Sequence, residues 1–153
     1  DLLAHGAARY ARQGVAFSYE NCTVAAAGDC VVAMLHAFEM PESDGVEEDS
    51  ILRPYSELED PGSLYISGVA VDADRRGQGI GNALLDVAED IASERGCDRL
   101  SLLCFEANQD ALRLYRSRGY VEIDRRPLLP HPCLHYSEGD ALLMRLALPA
   151  RIP

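Results

Sequence analysis

The sequence predicts an α/β fold in which helices flank a mixed sheet, and two observations carry this prediction. First, an apolar strand at Leu64–Val71, an amphipathic helix at Ile80–Glu94 and an apolar strand at Arg99–Phe105 follow one another. This order implies a parallel pair of strands joined by a right-handed helical crossover. Second, an Ala-Gly-Asp turn separates two strand-like runs nearer the N-terminus, which is typical of an antiparallel hairpin.

The N-terminal part is predicted to contain a short helix, the hairpin and a long loop. Apolar residues recur at helical spacing over residues 1–13, and Gly14 follows as a stop signal. The hairpin strands are expected over residues 17–26 and 30–38. Residues 41–63 contain prolines with Asp-Gly and Pro-Gly pairs, which predicts a loop. A loop of this length tends to be functional or mobile.

The C-terminal part is predicted to add one helix and two strands. Asn108 can cap a helix that runs to about Arg118, where a glycine follows as the stop. Strands are expected over residues 120–124 and 141–148. The segment between them, residues 126–138, contains three prolines and is expected to be a connecting loop.

Composition narrows the class of protein. Hydrophobic residues make up 48% and charged residues 25% of the 153 residues, which is typical of a globular protein. The net charge of −11 argues against nucleic acid as a partner. No apolar run is long enough to span a bilayer and no signal-peptide pattern is present, so we expect no membrane partner. Five cysteines without a C-x-x-C pattern predict a reduced, cytoplasmic protein.

A turn rich in arginine and glycine joins the central strand to the central helix. Gly77, Gly79 and Gly81 allow the backbone to approach a ligand at a helix N-terminus, where unpaired N–H groups favour an anion. Arg75 and Arg76 lie beside them and favour a phosphate or pyrophosphate. The turn lacks the lysine of a P-loop, and its G-x-G-x-G spacing differs from the Rossmann G-x-G-x-x-G pattern.

Two motifs resemble those of the GNAT (GCN5-related N-acetyltransferase) family. Arg76, Gly79 and Gly81 form the pattern R-x-x-G-x-G after a strand that ends Val-Ala-Val, which resembles the acetyl-CoA pyrophosphate loop of that family. The segment from Asn108 to Tyr120 is similar to the family pattern N-x-x-A-x-x-x-Y-x-x-x-G-F/Y, with every spacing intact. Two motifs in the right order, separated by one strand, make the resemblance specific.

The resemblance implies one N-acetyltransferase domain over residues 1–153, with a GNAT-like, mostly antiparallel sheet and a splayed parallel pair. Members of the family usually begin with a strand and a helix before the helix expected at residues 1–13. The chain begins with Asp1 rather than Met, so we expect either that this start is missing or that a second subunit in a homodimer completes the sheet.

The resemblance also implies acetyl-CoA as co-substrate and assigns residues to it. Tyr115 would protonate the leaving thiolate, a role that suits a phenol because it is a proton donor. The residues implied to contact the cofactor are Val69, Ala70, Val71, Arg76, Gly77, Gln78, Gly79, Ile80, Gly81, Asn108 and Tyr115.

The general base is left open by the sequence. Glu57, Glu59 and Glu106 are candidates by position, and Tyr65 could act through water. Family members that acetylate ribosomal-protein N-termini carry a glutamate five residues before the asparagine, where this chain has Leu103.

The expected reaction is direct transfer of acetyl from acetyl-CoA to a primary amine in a ternary complex, with a small molecule preferred to a protein as acceptor. The alternatives are a non-catalytic CoA-binding module and an acetyltransferase that acts on protein N-termini or lysines. Residues 41–63 carry eight acids and one base, which either draw a cationic amine toward the site or form a solvated charge run. His131, Cys133 and His135 alternate as potential ligands but lack a fourth, so no metal is expected.

Overall fold

The computed structural model describes residues 2–43, 45–132 and 134–149, and these are organised around a six-stranded sheet. The elements, in chain order, are α1 (Leu2–Tyr10), β1 (Cys22–Ala27), β2 (Cys30–Glu39), the one-turn helix α2 (Arg53–Ser56), β3 (Leu64–Val71), α3 (Ile80–Glu94), β4 (Arg99–Phe105), α4 (Gln109–Ser117), β5 (Val121–Pro127) and β6 (Asp140–Ala147).

The sheet is mixed and mostly antiparallel, as predicted. The strands lie in the order β1-β2-β3-β4-β6-β5, and β3 and β4 are the parallel neighbours. Their pairing covers only Leu64–Ile66 against Leu100–Leu102, so the C-terminal halves of the two strands diverge. The predicted splay is therefore present as a gap that opens beyond Ile66.

The two faces of the sheet are covered by different parts of the chain. Helices α3 and α4 pack on one face, and their apolar side chains join those of the four central strands in the larger core, which includes Leu35, Leu85, Leu100, Leu112 and Met144. A smaller cluster around Leu58, Leu128 and Leu143 lies on the other face. There, Tyr10 of α1 and Phe17 also pack on His36.

Most predicted elements are confirmed, and the differences lie at the ends of elements and in the predicted 41–63 loop. The first strand begins at Cys22 rather than at residue 17. Residues 16–21 fold back locally instead, because the Ser18 hydroxyl accepts from the Glu20 N–H at 3.2 Å and the Asn21 amide donates to Ala16 O at 2.9 Å. The loop over residues 41–63 contains α2.

Strand β5 is longer than predicted. It continues to Pro127, opposite Asp140, where the sequence predicts a loop from residue 126. The next residue, Leu128, donates its N–H to Gly139 O at 3.0 Å, so Pro127 faces the open edge of the sheet and removes no ladder bond. No helix in the described ranges is long and apolar enough to cross a membrane.

Candidate active site

The gap between β3 and β4 exposes backbone groups of β3. The Asp72 N–H donates to Val32 O at 2.9 Å, and Ala70 is the next residue of β3 whose backbone faces β2. Backbone groups alternate along an antiparallel strand, so Val69 and Val71 direct theirs away from β2 and into the gap. An extended ligand can therefore pair with β3 here as a further strand would.

The predicted glycine turn lies at the end of this gap. Gly77 and Gly79 have φ values of +74° and +82°, a left-handed conformation that favours glycine, and Gly79 is the N-cap of α3. A Cβ at either position would meet no atom of the described residues within 4 Å, so the turn is open. Among the described residues, no protein group accepts a hydrogen bond from the N–H groups of residues 77–82. These donors and the helix N-terminus together suit an anion.

The arginines of the turn leave their charge available. Arg76 Nε donates to Val71 O at 3.2 Å, which ties the turn to the end of β3. Neither Arg75 nor Arg76 forms an ion pair with any acid in the part of the chain that the structure describes. Gln78, Ile80 and Gly81 complete the turn and the first residues of α3.

Helix α4 brings the second predicted motif to the same side of the sheet. Asn108 caps the helix, because its side-chain oxygen accepts from the Ala111 N–H at 3.2 Å. Tyr115 follows one turn after Ala111 and packs on Tyr120, with the ring centroids 5.6 Å apart. Burial raises the pKa of Tyr115 to about 12, so its phenol keeps its proton at neutral pH. Within the described ranges, its hydroxyl forms no hydrogen bond.

A cavity of about 620 Å³ lies on the opposite face of the sheet, beneath the 41–63 loop. Side chains from distant parts of the chain line it, and most of them are apolar or aromatic. The lining residues are Arg9, Ala16, Phe17, Phe38, Met40, Pro41, Glu42, Ser43, Leu52, Tyr55, Leu58, Glu59, Tyr65, Leu103 and Leu134. Of the aromatic residues in this set the sequence singled out Tyr65 alone, because strand alternation does not tell which face of β2 is covered.

Of the three candidate bases, the structure brings only Glu59 to the cavity. Burial raises the pKa of Glu59, and its charge contributes with burial to raising the pKa of Tyr65 to about 12. Glu57 is exposed and accepts from Arg126 Nε at 2.8 Å. Glu106 accepts from Arg125 Nη1 at 3.4 Å and from the Asp140 N–H at 3.2 Å.

An ionic cluster fastens the end of the loop that carries Glu59. The Asp60 carboxylate is 6% exposed and accepts from Arg99 Nε at 3.2 Å and Arg145 Nε at 2.9 Å. Ser63, three residues later, places its hydroxyl 2.6 Å from that of Ser101. These contacts join the loop to β4 and β6, so the backbone next to Glu59 is held against the sheet.

A buried histidine and a serine meet where β3 leaves β4, a pair that sequence reasoning also missed. The pairing of β2 and β3 shifts at His36, so that Ser67 is an extra residue in β3. His36 Nδ1 contacts the Ser67 hydroxyl, and Nε2 lies 3.2 Å from Ser18 O. Desolvation lowers the pKa of His36, so the ring is neutral at neutral pH, with Nε2–H donating to Ser18 O and Nδ1 accepting from Ser67.

The possible metal ligands cannot be assembled from the described chain. Cys133, the middle residue of the alternating triad, lies outside the described residues. Elsewhere in those ranges, no group of three or more His, Cys, Asp or Glu side chains is placed to hold a metal ion.

Comparison with known proteins gives a family and a fold. A family model described as "Acetyltransferase (GNAT) family" matches residues 5–120. The chain is 32% identical over 61 residues to a thialysine N-epsilon-acetyltransferase of Bos taurus, which covers 40% of this chain and 36% of the relative. It is 32% identical over 84 residues to N-alpha-acetyltransferase 30 of Saccharomyces cerevisiae, and this match covers 55% of this chain and 45% of the relative. Less than half of each relative is matched.

Solved structures share the fold at low identity. The ribosomal-protein-S18-alanine N-acetyltransferase of Escherichia coli superposes with a TM-score of 0.61 at 22% identity, over 86% of this chain and 72% of that chain. Ard1 from Thermoplasma volcanium superposes with a TM-score of 0.64 at 19% identity, over 97% of this chain and 79% of that chain. A GNAT family acetyltransferase from Elizabethkingia anophelis with acetyl-CoA bound superposes with a TM-score of 0.60 at 18% identity, over 83% of this chain and 75% of that chain.

Proposed function

This chain belongs to the GNAT acetyltransferase family, and on that premise we propose that it transfers an acetyl group from acetyl-CoA to a primary amine of a small molecule. The observation that carries the proposal is the gap between β3 and β4. The two strands that border it lead to the open backbone donors of the glycine turn, and they also contribute Tyr65 and Leu103 to the cavity that contains the half-buried Glu59.

Acetyl-CoA is proposed to bind along the gap. The N–H groups of the turn from Arg76 to Gly81 would hold the pyrophosphate, with the guanidinium of Arg76 beside it. The backbone groups of Val69 and the N–H of Val71, which point into the gap, would pair with the amides of the pantetheine arm, while Val71 O accepts from Arg76 Nε. Asn108, at the start of α4, would contact the same arm while it caps the helix.

The transfer is proposed to occur in one ternary complex. Glu59 accepts a proton from the amine, whose nitrogen attacks the thioester carbonyl while an N–H of β3 stabilises the oxyanion. The new C–N bond forms, the C–S bond breaks, and Tyr115 donates its proton to the leaving sulfur. Tyr115 is protonated at neutral pH, and the negative charge that develops on the sulfur as the C–S bond breaks attracts its proton. Holding the two reactants together supplies most of the rate.

The test is release of CoA, measured with a thiol-reactive dye, while a panel of primary amines is offered. We expect turnover with at least one amine, and we expect Tyr115→Phe to lower kcat by about 100-fold, the scale of general acid catalysis, without weakening the binding of CoA. Tyr19→Phe is the matched control, since Tyr19 is 51% exposed and, among the described residues, its hydroxyl accepts from Gln13 alone.

The rival function is a CoA-binding module without catalysis. It predicts that CoA raises the melting temperature while no amine produces turnover. That result, or a Tyr115→Phe variant as fast as the wild type, would contradict the proposed mechanism.

A further inference from the structure

We infer that the acceptor amine carries an apolar, ring-sized body and an anionic group at the end away from the amine, and that Arg9 selects this group. This inference rests on the proposed function, because it assigns the cavity beneath the 41–63 loop to the acceptor.

The walls of the cavity favour an apolar body. Phe17, Phe38 and Tyr65 form a continuous aromatic side, with Phe17 and Phe38 centroids 5.3 Å apart and Phe38 and Tyr65 centroids 5.5 Å apart. Met40 and Leu58 add apolar surface. A ligand without an apolar body would leave this surface unpaired, while a ring or chain of similar width would cover it.

The acids of the loop do not favour a polycation. Among the described acids between residues 41 and 63, only Glu42 and Glu59 line the cavity. Glu47 and Asp49 instead accept from N–H groups of their own loop, at 3.0 and 2.8 Å. Glu59 is the half-buried carboxylate that can meet one ammonium group, whereas Glu42 is exposed to solvent. A second ammonium deeper in the cavity would lie among apolar side chains or near Arg9.

Arg9 supplies the opposite charge at the cavity. Its guanidinium carbon lies 3.7 Å from the centroid of the Phe17 ring, so the cation is stacked on the aromatic wall. No acidic side chain in the described ranges pairs with it. A stacked guanidinium still directs its N–H groups outward in its own plane, which matches a carboxylate in a bidentate arrangement. The charged side chains that line the cavity are therefore Arg9 and Glu42, both exposed, and the half-buried Glu59.

The experiment compares three amines that share one body: para-(aminomethyl)benzoate, its carboxamide and benzylamine. The same three compounds with one more methylene before the amine allow for length, and spermidine represents polycations. Of the two carboxylate compounds, we expect the one with the more suitable length to have a kcat/KM about fivefold or more above that of its carboxamide. The reason is that charge-assisted bidentate hydrogen bonds are stronger than neutral ones. Spermidine should be the poorest acceptor.

Variants then identify the residue responsible. Arg9→Gln should bring the carboxylate-to-amide ratio close to one, and this ratio compares two compounds on one variant, so it is independent of any general change in turnover. Arg12→Gln removes a neighbouring exposed charge that does not line the cavity, and it should keep the wild-type ratio. Calorimetric affinities of the same compounds in the presence of CoA measure the preference independently of turnover.

The two hypotheses fail in different ways. A wild-type preference for the amide or for spermidine, or a ratio that survives Arg9→Gln, overturns the inference while acetyl transfer stands. If no amine is turned over, the proposed reaction fails, and the calorimetric ratio then decides whether the cavity still selects an anionic group through Arg9.

Discussion

The two halves of the site are made from different parts of the polypeptide. The glycine turn presents the backbone N–H groups of residues 77–82, and few described side chains pack against it. The cavity presents side chains from α1, β2, the 41–63 loop, β3 and β4, held together by packing and by the Asp60 cluster. A site made of backbone depends on conformation, whereas a site made of side chains depends on their identity and on distant anchors. Substitutions should therefore affect the two halves differently.

The largest expected effect is the loss of the cavity carboxylate. Glu59→Gln keeps the size of the side chain but cannot accept the proton of the amine, so kcat/KM for amines should fall by about 100-fold or more, the scale of general base catalysis. The affinity for CoA should not change, because the glycine turn is untouched. Steady-state kinetics with calorimetry of CoA separates the two quantities. Glu57→Gln is the control, and we expect wild-type rates from it because Glu57 lies outside the cavity.

The pH dependence of the same variant gives a second readout. Because burial raises the pKa of Glu59, the base of the wild type should become protonated at a higher pH than an ordinary glutamate, and the rate should fall below that point. The contribution of Glu59 to the free energy of unfolding depends on pH in the opposite direction to that of a carboxylate in an ion pair. The folded state favours protonated Glu59, so this group contributes stability at low pH that is lost as the pH rises through the folded pKa. A Gln variant with the same acidic limb as the wild type would exclude Glu59 as the base.

Removing the anchor behind Glu59 should give the next largest effect. Asp60→Asn leaves Arg99 and Arg145 without their shared carboxylate, and we expect a loss of about 2 kcal/mol in the free energy of unfolding, below the full cost for a buried pair because both arginines are partly exposed. The KM for amines should rise while CoA affinity stays constant. Asp98→Asn removes the exposed partner of the same Arg99, with 79% of the Asp98 side chain accessible, and should change stability little. Equal losses in both variants, measured by chemical denaturation, would contradict the anchor.

The glycine turn should show the reverse pattern. Alanine is strained at the φ of +82° of Gly79, by about 1–2 kcal/mol, so Gly79→Ala should weaken CoA binding by about 5–30-fold. Stability should change little, because the open turn can relax into another conformation. Gly28, with a φ of +62° in the β1–β2 hairpin, provides the contrast. Gly28→Ala should lower the melting temperature and leave CoA affinity unchanged, and calorimetry showing the opposite would remove the turn from the cofactor site.

The same contrast explains what the sequence could predict. Some features of the site are local, because neighbouring residues determine their conformation, and these could be predicted with their boundaries. They are the glycine turn, the Asn108 cap and the position of Tyr115 one helical turn after Ala111. The general base could not be chosen among the three glutamates from sequence, because the ion-pair partner of Glu57, Arg126, lies 69 residues further along the chain. The sequence predicts a strand that starts at Phe17. In the structure, hydrogen bonds of the Ser18 and Asn21 side chains fold residues 16–21 locally, and Phe17 lines the cavity.

The smallest expected effect concerns the acidic loop, for which the sequence left attraction of a cation and simple solvation equally open. The structure favours solvation for the described acids outside the cavity, since Glu47 and Asp49 bond within the loop and Glu57 pairs with Arg126. At saturating acetyl-CoA, kcat/KM for benzylamine should therefore fall by less than about threefold between about 20 and about 200 mM salt, although the Debye length shortens from over 20 Å to under 10 Å. A variant that combines Glu47→Gln, Glu48→Gln and Asp49→Asn should stay within about twofold of the wild type, because exposed charges beyond the cavity contribute mainly a screened field. A tenfold loss in that variant, removed by salt, would show instead that the loop attracts the amine, and would extend the acceptor site beyond the side chains that line the cavity.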